Sequence, residues 1–262
     1  MRDQRILITG AASGIGAECA RLLCGQDAHV TALDRVEPAD ADAWLAVDLG
    51  VADAIDAALA QLPGPYDALI NSAGIPPRAE NAAAQLRVNF LGLRRFSEAL
   101  EDRLAPGSAI VNLSSRAGWA WRENIAEVKA LMALPGPGAA EDFVARRGLD
   151  PVRAYNLTKE ALTVWTFARS ETLLSKRLRM NAVCPAAVET PILKDFSSAF
   201  GERVEKMRQR LGAAGTPEQI ARIVLFLASP ESAWIKGAEI AVDGGAAAVA
   251  IADSFGLAPS PV

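Results

Sequence analysis

The sequence predicts an α/β protein: a doubly wound, parallel, seven-stranded sheet of the Rossmann type, in a single domain over residues 1–262. Three observations carry this. Short β-branched or apolar runs alternate with longer stretches of helical period, which is the pattern of βαβ units. A glycine loop, Thr9 to Gly16, follows the first such run and opens the first helix. With 51% hydrophobic residues, the 262-residue chain has ample apolar material for a packed core.

Taken in order, Arg5 to Thr9 reads as a strand, Gly14 to Gln26 as a helix and His29 to Asp34 as the second strand. A short strand at Trp44 to Val47 precedes a helix at Asp53 to Leu62 and a strand at Asp67 to Asn71. Ala83 to Leu104 reads as one long helix and Ser108 to Ser114 as a strand ending in two serines. Ala154 to Leu174 is helical, Arg179 to Cys184 a strand, Pro217 to Leu227 helical, and Ala238 to Val242 the last strand.

Two segments break the alternation. The stretch at about 116–152 is too long for an ordinary connection; it holds a helical piece at Glu123 to Met132 and a Pro135 to Gly138 turn, and reads as an insertion at the carboxyl edge of the sheet. At about 191–215 a second excursion carries Ile192, Leu193, Phe196, Phe200 and Met207 on one apolar face, which suits plain packing or a lid over a substrate. The tail after Gly245 has no strong pattern beyond small apolar residues and is left open between packing on a neighbouring subunit and fraying.

Charge and composition narrow the partners. A net charge of -4 with both signs spread along the chain leaves no electrostatic footprint for nucleic acid or an anionic membrane, so a small molecule and further copies of the chain are the expected partners. Cys19, Cys24 and Cys184 lack metal-ligand spacing, so no metal is expected and the thiols read as apolar filler in a reducing compartment. His29, the single histidine, reads as packing. The chain enters its first strand almost at once, and no apolar run reaches the roughly 20 residues of a membrane span, so a cytoplasmic protein is expected.

Gly10, Gly14 and Gly16 sit where a tight turn must let the backbone approach a pyrophosphate at a helix N-terminus. Asp34 ends the second strand, placed to accept hydrogen bonds from both ribose hydroxyls and to repel a 2'-phosphate. NAD is therefore expected ahead of NADP, although Arg35 alongside is a group that a phosphate would want. Asp48, before Leu49, suits either the adenine amino group or the cap of a helix beginning near Ala52.

Downstream, Tyr155 and Lys159 stand four apart on one helical face. A phenol near pKa 10 needs help to act as a base at neutral pH. An ammonium at about 4 Å, in an effective dielectric of about 20, is worth about 4 kcal/mol, or roughly three pKa units. That shift makes proton transfer at Tyr155 feasible, with burial acting against it.

These features together resemble the short-chain dehydrogenase/reductase family in its compact single-domain branch. The likeness runs from about Ile6 to Gly245 and rests on TGAASGIG (Thr9 to Gly16), NSAG (Asn71 to Gly74), VNF (Val88 to Phe90), NLSS (Asn112 to Ser115) and the Tyr155/Lys159 pair. It implies a catalytic set of Asn89, Ser115, Tyr155 and Lys159, with Tyr155 moving the proton and Ser115, rather than Ser114, positioning the substrate oxygen. Lys159 is implied to hold the nicotinamide ribose and lower the Tyr155 pKa, and Asn89 to anchor a relaying water. Implied cofactor contacts are Gly10, Ser13, Gly14, Ile15, Gly16, Asp34, Arg35, Asp48, Leu49, Asn71, Ala73, Gly74, Tyr155, Lys159, Pro185, Val188 and Thr190. Pro185-Ala186 stands where the family usually has Pro-Gly.

The long insertion between Ser115 and Tyr155 is similar to that of the bacterial 3α-hydroxysteroid and coniferyl-alcohol dehydrogenase group. Joined to both catalytic residues, it must overhang the pocket, where Trp119 and Trp121 supply flat walls for a ring or simply pack the insertion onto the sheet. The expected activity is NAD-dependent interconversion of an apolar, ring-bearing alcohol and its carbonyl. A small cyclic or aliphatic alcohol, or a non-catalytic dinucleotide sensor, are the alternatives. The insertion also precedes the helix through which this family commonly pairs subunits, which leaves a homodimer and a homotetramer both open.

Overall fold

The computed structural model describes residues 1–257. Strands β1 (Arg5–Thr9), β2 (His29–Asp34), β3 (Ala43–Ala46), β4 (Tyr66–Asn71), β5 (Leu104–Leu113), β6 (Arg179–Pro185) and β7 (Glu239–Val242) form one parallel sheet in the order β3-β2-β1-β4-β5-β6-β7. Strand alternation feeds two cores. Ile6, Ile8, Val30, Ala32, Ile70 and Val111 share one with helix α1 (Gly14–Cys24) and the later helix over Pro217–Ala228. Leu7, Leu33, Leu69 and Ile110 face the other way, onto α2 (Ala52–Ala60) and the helices that carry the catalytic candidates. Connections leave β1 and β4 in opposite directions, which opens a crevice at the carboxyl ends of the strands.

The long helix expected over Ala83 to Leu104 is broken. It comprises α3 (Ala82–Leu86), a π-helical turn over Arg87–Gly92 and α4 (Leu93–Leu100), with β5 already beginning at Leu104. The wide turn places Gly92 so close to the Leu49 carbonyl that a Cβ would lie 1.7 Å from its oxygen. It also turns the Asn89 amide onto the backbone of Ile75. Such bulges recur at functional sites.

The insertion contains α5 (Ile125–Met132) and α6 (Ala140–Arg147), of which the second was not expected; it ends at Gly148 in the left-handed region, φ 62°. Val128, Leu131 and Phe143 bury the insertion into the core beside α7 (Pro151–Ala168). The start of α7 lies earlier than expected because Asp150 caps it, accepting the Arg153 N–H at 2.8 Å, with Pro151 at its first position. Its expected continuation to Leu174 is a separate helix, α8 (Ser170–Ser175). The excursion after β6 forms α9 (Leu193–Phe200) and α10 (Glu202–Leu211), followed by α11 (Pro217–Ala228). The tail supplies a helix that was not expected, α12 (Ala246–Ser254), with Asp243 accepting the N–H groups of Gly245 and Ala247; the last residues of the chain lie outside the described range. No helix among the described residues is long and apolar enough to cross a membrane.

Candidate active site

The crevice holds a cleft of about 1850 Å³, lined from the glycine loop after β1 to α12. That exceeds an ordinary small-molecule pocket of roughly 300–1,000 Å³ and suits two ligands side by side. At one end lie Gly10, Ser13, Gly14, Ile15, Asp34, Arg35, Asp48 and Leu49. Gly10, at φ 74°, packs so tightly that a Cβ would lie 2.6 Å from the Ala73 backbone. Ser13 makes no side-chain cap bond and the first turn of α1 holds no acidic residue, so this helix start is open to an anion. The Asp34 carboxylate accepts from Ala12 N at 3.0 Å and Val36 N at 3.2 Å, tying the glycine loop to β2 while facing the cleft. Asp48 does not cap α2, whose cap is Val51; it accepts from Gly50 N at 2.7 Å and lies 4.0 Å from the Arg35 guanidinium. Open loop amides, Asp34 and Asp48 thus offer the donors and acceptors that a dinucleotide requires.

Ala73, Gly74, Pro185, Val188 and Thr190 continue the lining. The loop after β6 is held despite Ala186, because Gly215 N donates to Ala187 O at 3.0 Å and Glu189 N to Gly215 O at 2.8 Å. Gly16 and Asn71 are not part of the lining. Gly16 lies behind the loop, where a Cβ would come within 2.0 Å of the Gly10 oxygen. Asn71 is fully buried and donates to Ser97 Oγ and Asn112 Oδ1, both at 2.9 Å; Asn112 in turn donates to Thr166. Its place is a clamp between the sheet and α7, one layer below the cleft.

The catalytic candidates converge from three elements. Ser115 follows β5 in extended backbone and faces the cleft, its Oγ accepting from Ala117 N at 3.1 Å. Ser114 is otherwise engaged, with Lys159 O at 2.9 Å and Thr163 Oγ1 at 3.0 Å. Tyr155 and Lys159 both line the cleft from α7, with the Ser115 hydroxyl close enough to the phenol to oppose the rise of its pKa. Lys159 Nζ donates to Leu113 O at 2.7 Å and sits 5.7 Å from the Tyr155 ring centroid. Asn89 lies beneath the lining, its amide accepting from Ile75 N at 2.8 Å and donating to Ile75 O at 3.0 Å.

Electrostatics differ from the sequence expectation at one point. Burial pushes the Tyr155 phenol up, and the Ser115 hydroxyl only partly opposes it. Burial also lowers the Lys159 ammonium to about 8, leaving less charge to stabilise a phenolate. The protein alone therefore keeps Tyr155 protonated, because desolvation of the phenolate dominates over the opposing influence of Ser115.

This has a stability consequence. Lys159 titrates near 8 folded against 10.5 in a free side chain, so the unfolded chain binds more protons between these values. Lys159 should therefore contribute about 2–3 kcal/mol of rising stability as pH climbs from about 8 to 10, set against the falling contributions of the buried thiols of Cys19 and Cys184 and of Tyr155, which keep protons that the unfolded chain loses. Urea midpoints across this window should fall more steeply in Lys159→Met than in wild type, because the thiols' falling contribution is then unopposed; identical profiles would refute it.

Aromatic side chains build the far end. The edge of Phe196 meets Tyr155 at 5.0 Å between centroids, and Phe200 follows at 6.2 Å, so α9 closes over the phenol. Arg78 holds α9 through Asp195 at 2.8 Å, and Arg210 holds α10 to α12 through Asp253 at 2.5 Å. Of the two insertion tryptophans, Trp119 lines the cleft. Trp121 packs instead, donating to Glu239 at 3.3 Å with its ring 5.5 Å from that of Phe167.

Among the cleft residues that the sequence pattern does not single out are Asn156 and Arg116. Asn156 lines the cleft with a buried Oδ1 that has no partner. Arg116 lines it with a guanidinium 4.1 Å over the Trp119 ring. Neither position carries a periodic or spacing signal.

Comparison with known proteins gives a consistent result. Residues 4–126 match the family model described as short chain dehydrogenase, and residues 139–247 match one described as Enoyl-(Acyl carrier protein) reductase. The chain is 36% identical to the coniferyl-alcohol dehydrogenase of Pseudomonas sp. (strain HR199 / DSM 7063), covering 94% of this chain and 98% of that protein. It is 28% identical to the 3-alpha-hydroxysteroid dehydrogenase/carbonyl reductase of Comamonas testosteroni, over 93% and 96%. Among solved structures, the 3-alpha-hydroxysteroid dehydrogenase from Pseudomonas sp. B-0831 complexed with NADH superimposes with a TM-score of 0.84 at 29% identity, covering 95% of this chain and 98% of that one.

Proposed function

The chain belongs to the short-chain dehydrogenase/reductase family, and we propose that it is an NAD-dependent dehydrogenase interconverting an apolar, ring-bearing alcohol and its carbonyl compound. Aryl allylic alcohols of the coniferyl type and hydroxysteroids are the substrate classes, since the relatives named for them match along nearly the whole chain. The observation that carries the reading is the shared cleft: Ser115 and Tyr155 meet the glycine-loop groove beneath an aromatic roof of Phe196 and Phe200. A small aliphatic alcohol would leave much of the apolar surface that this roof and Trp119 turn to the cleft without a ligand contact. A sensor without chemistry would have no use for the buried pairing of Ser115 with Tyr155.

Within this reading, the start of α1 holds the pyrophosphate, Asp34 the ribose hydroxyls, Asp48 and Leu49 the adenine, Lys159 the nicotinamide ribose, and Val188 and Thr190 the carboxamide. The bound dinucleotide supplies the acceptor or donor of hydride. Ser115 orients the substrate oxygen and Tyr155 exchanges its proton. Lys159, already anchored to the Leu113 carbonyl, stabilises the phenolate once the cleft's charge favours it. Asn89 fixes the Gly74–Ile75 backbone beside Lys159 and so keeps that wall rigid. A cytoplasmic setting suits the three free thiols, and α5 covers the outer side of α7, which favours a homodimer formed elsewhere over pairing through that helix.

Asp34 gives a direct test of cofactor choice. Asp34→Ala should raise the Kd for NAD about 10- to 100-fold relative to that for NADP. Loss of the Ala12 contact weakens both cofactors alike, so the ratio is the readout; an unchanged ratio would refute the ribose contact. The substrate class is tested by incubating the protein with NAD and a panel of aryl allylic alcohols, hydroxysteroids and short aliphatic alcohols, following the absorbance of reduced nicotinamide. Turnover confined to the aliphatic members would overturn the ring-bearing assignment.

A further inference from the structure

We propose that Arg116 is a substrate-recognition residue whose guanidinium donates hydrogen bonds to a neutral acceptor oxygen, an ether, phenol or carbonyl, borne by the substrate's ring away from the carbon that is oxidised. The inference rests on the alcohol-dehydrogenase reading above and adds to it the polar group that the far end of the substrate must carry.

Arg116 directly follows Ser115, and its side chain lines the cleft with 17% exposure. Its guanidinium lies 4.1 Å over the ring of Trp119, and its Nε lies 3.3 Å from Asp243 Oδ2. A guanidinium carries five N–H donors. Among the described residues, none accepts a hydrogen bond from this one. Half-buried donors without acceptors cost free energy that a ligand oxygen recovers.

The surroundings decide the charge of that oxygen. Asp243 is itself 5% exposed, and its two oxygens already take the N–H groups of Gly245 and Ala247 at the start of α12. It is thus a fixed counter-ion. Glu239 adds a second carboxylate to the field at Arg116. The positive charge of Arg116 is compensated while its donors are not. A carboxylate on the substrate would gain the donors but face both acids; a neutral oxygen gains the donors without that repulsion. Trp119 alongside supplies the flat apolar surface that a ring bearing such an oxygen would meet.

The test uses the full chain with NAD and three aryl allylic alcohols alike except at the para position: unsubstituted, methoxy and carboxylate. In wild type, kcat/KM should be highest for the methoxy alcohol and lowest for the carboxylate. In Arg116→Met, which keeps an unbranched stem against Trp119, the preference for methoxy over hydrogen should fall about 10- to 100-fold, mostly through KM. Arg116→Lys should retain part of that preference. A purely structural role would lower turnover of the methoxy and unsubstituted alcohols in equal proportion, and an unchanged preference or a wild-type preference for the carboxylate would also overturn the proposal. If wild type oxidises none of the three, the dehydrogenase reading of this substrate class fails. Arg116 is then judged on binding of the corresponding methyl ethers to the NAD complex, followed by tryptophan fluorescence. A methoxy preference in Kd that is lost in Arg116→Met supports it; equal Kd values in wild type overturn it.

Discussion

A Tyr155→Phe protein is expected to lose about 10²- to 10⁴-fold in kcat while still binding the dinucleotide. The substitution removes one oxygen and little else. The phenyl ring keeps its edge contacts with Phe196 and Phe200, so the lid and the α7 surface retain their packing. What disappears is the hydroxyl that stands beside Ser115 and exchanges the substrate's proton. Ser115→Ala should lose less, because it orients the oxygen without carrying the proton away. Steady-state rates beside a dinucleotide titration separate chemistry from binding. Near-normal turnover in Tyr155→Phe would remove this residue from the reaction.

The second large effect is expected at Arg153, where Arg153→Met should destabilise the fold by about 3–5 kcal/mol. Arg153 reaches across the insertion boundary, donating to Glu160 through Nη1 at 2.9 Å and Nη2 at 2.8 Å, and to Glu127 at 2.6 and 2.9 Å. Glu160 is buried, its side chain only 1% exposed, and is the residue next to Lys159. Its remaining partner is Asn124 at 2.8 Å, so loss of the guanidinium leaves a carboxylate in the interior without a counter-charge. Adding Glu160→Gln should restore much of the stability, since it removes the stranded charge. Chemical denaturation of the single and double variants checks both statements; a loss below about 1 kcal/mol in Arg153→Met would show that the network is dispensable.

Much of this architecture is legible in the sequence because it depends on local pattern. The strand His29–Asp34 stands where its apolar period predicts, and the glycine loop opens α1 at Gly14 as a tight turn requires. Ser114 and Ser115 both line the cleft, the first with its hydroxyl bonded to the α7 backbone and the second with its hydroxyl accepting the Ala117 N–H. Illegible features depend on distant partners. The π-helical turn at Arg87–Gly92 answers to the Leu49 carbonyl and the Ile75 backbone, neither visible in local periodicity. Helix α12 follows from Asp243 taking two backbone N–H groups, a cap hidden in a run of glycine and alanine. Asn71 sits in a strand-end motif that reads as a cofactor contact, yet its amide nitrogen is bonded to Ser97 and Asn112 and its amide oxygen is buried. The Tyr155 pKa could not be signed from spacing alone. Four residues on a helix fix a shared face, but burial, which raises the phenol and lowers the ammonium, is not visible in that spacing.

Hydride transfer itself can be followed by isotope. With an aryl allylic alcohol deuterated at its carbinol carbon and NAD as sole acceptor, mass spectrometry should find one deuterium in the reduced dinucleotide and the matching aldehyde in equal amount. Tyr155→Phe should yield neither over the same interval. Reduced dinucleotide without label, or aldehyde formed without dinucleotide reduction, would contradict a dehydrogenase acting through this cleft.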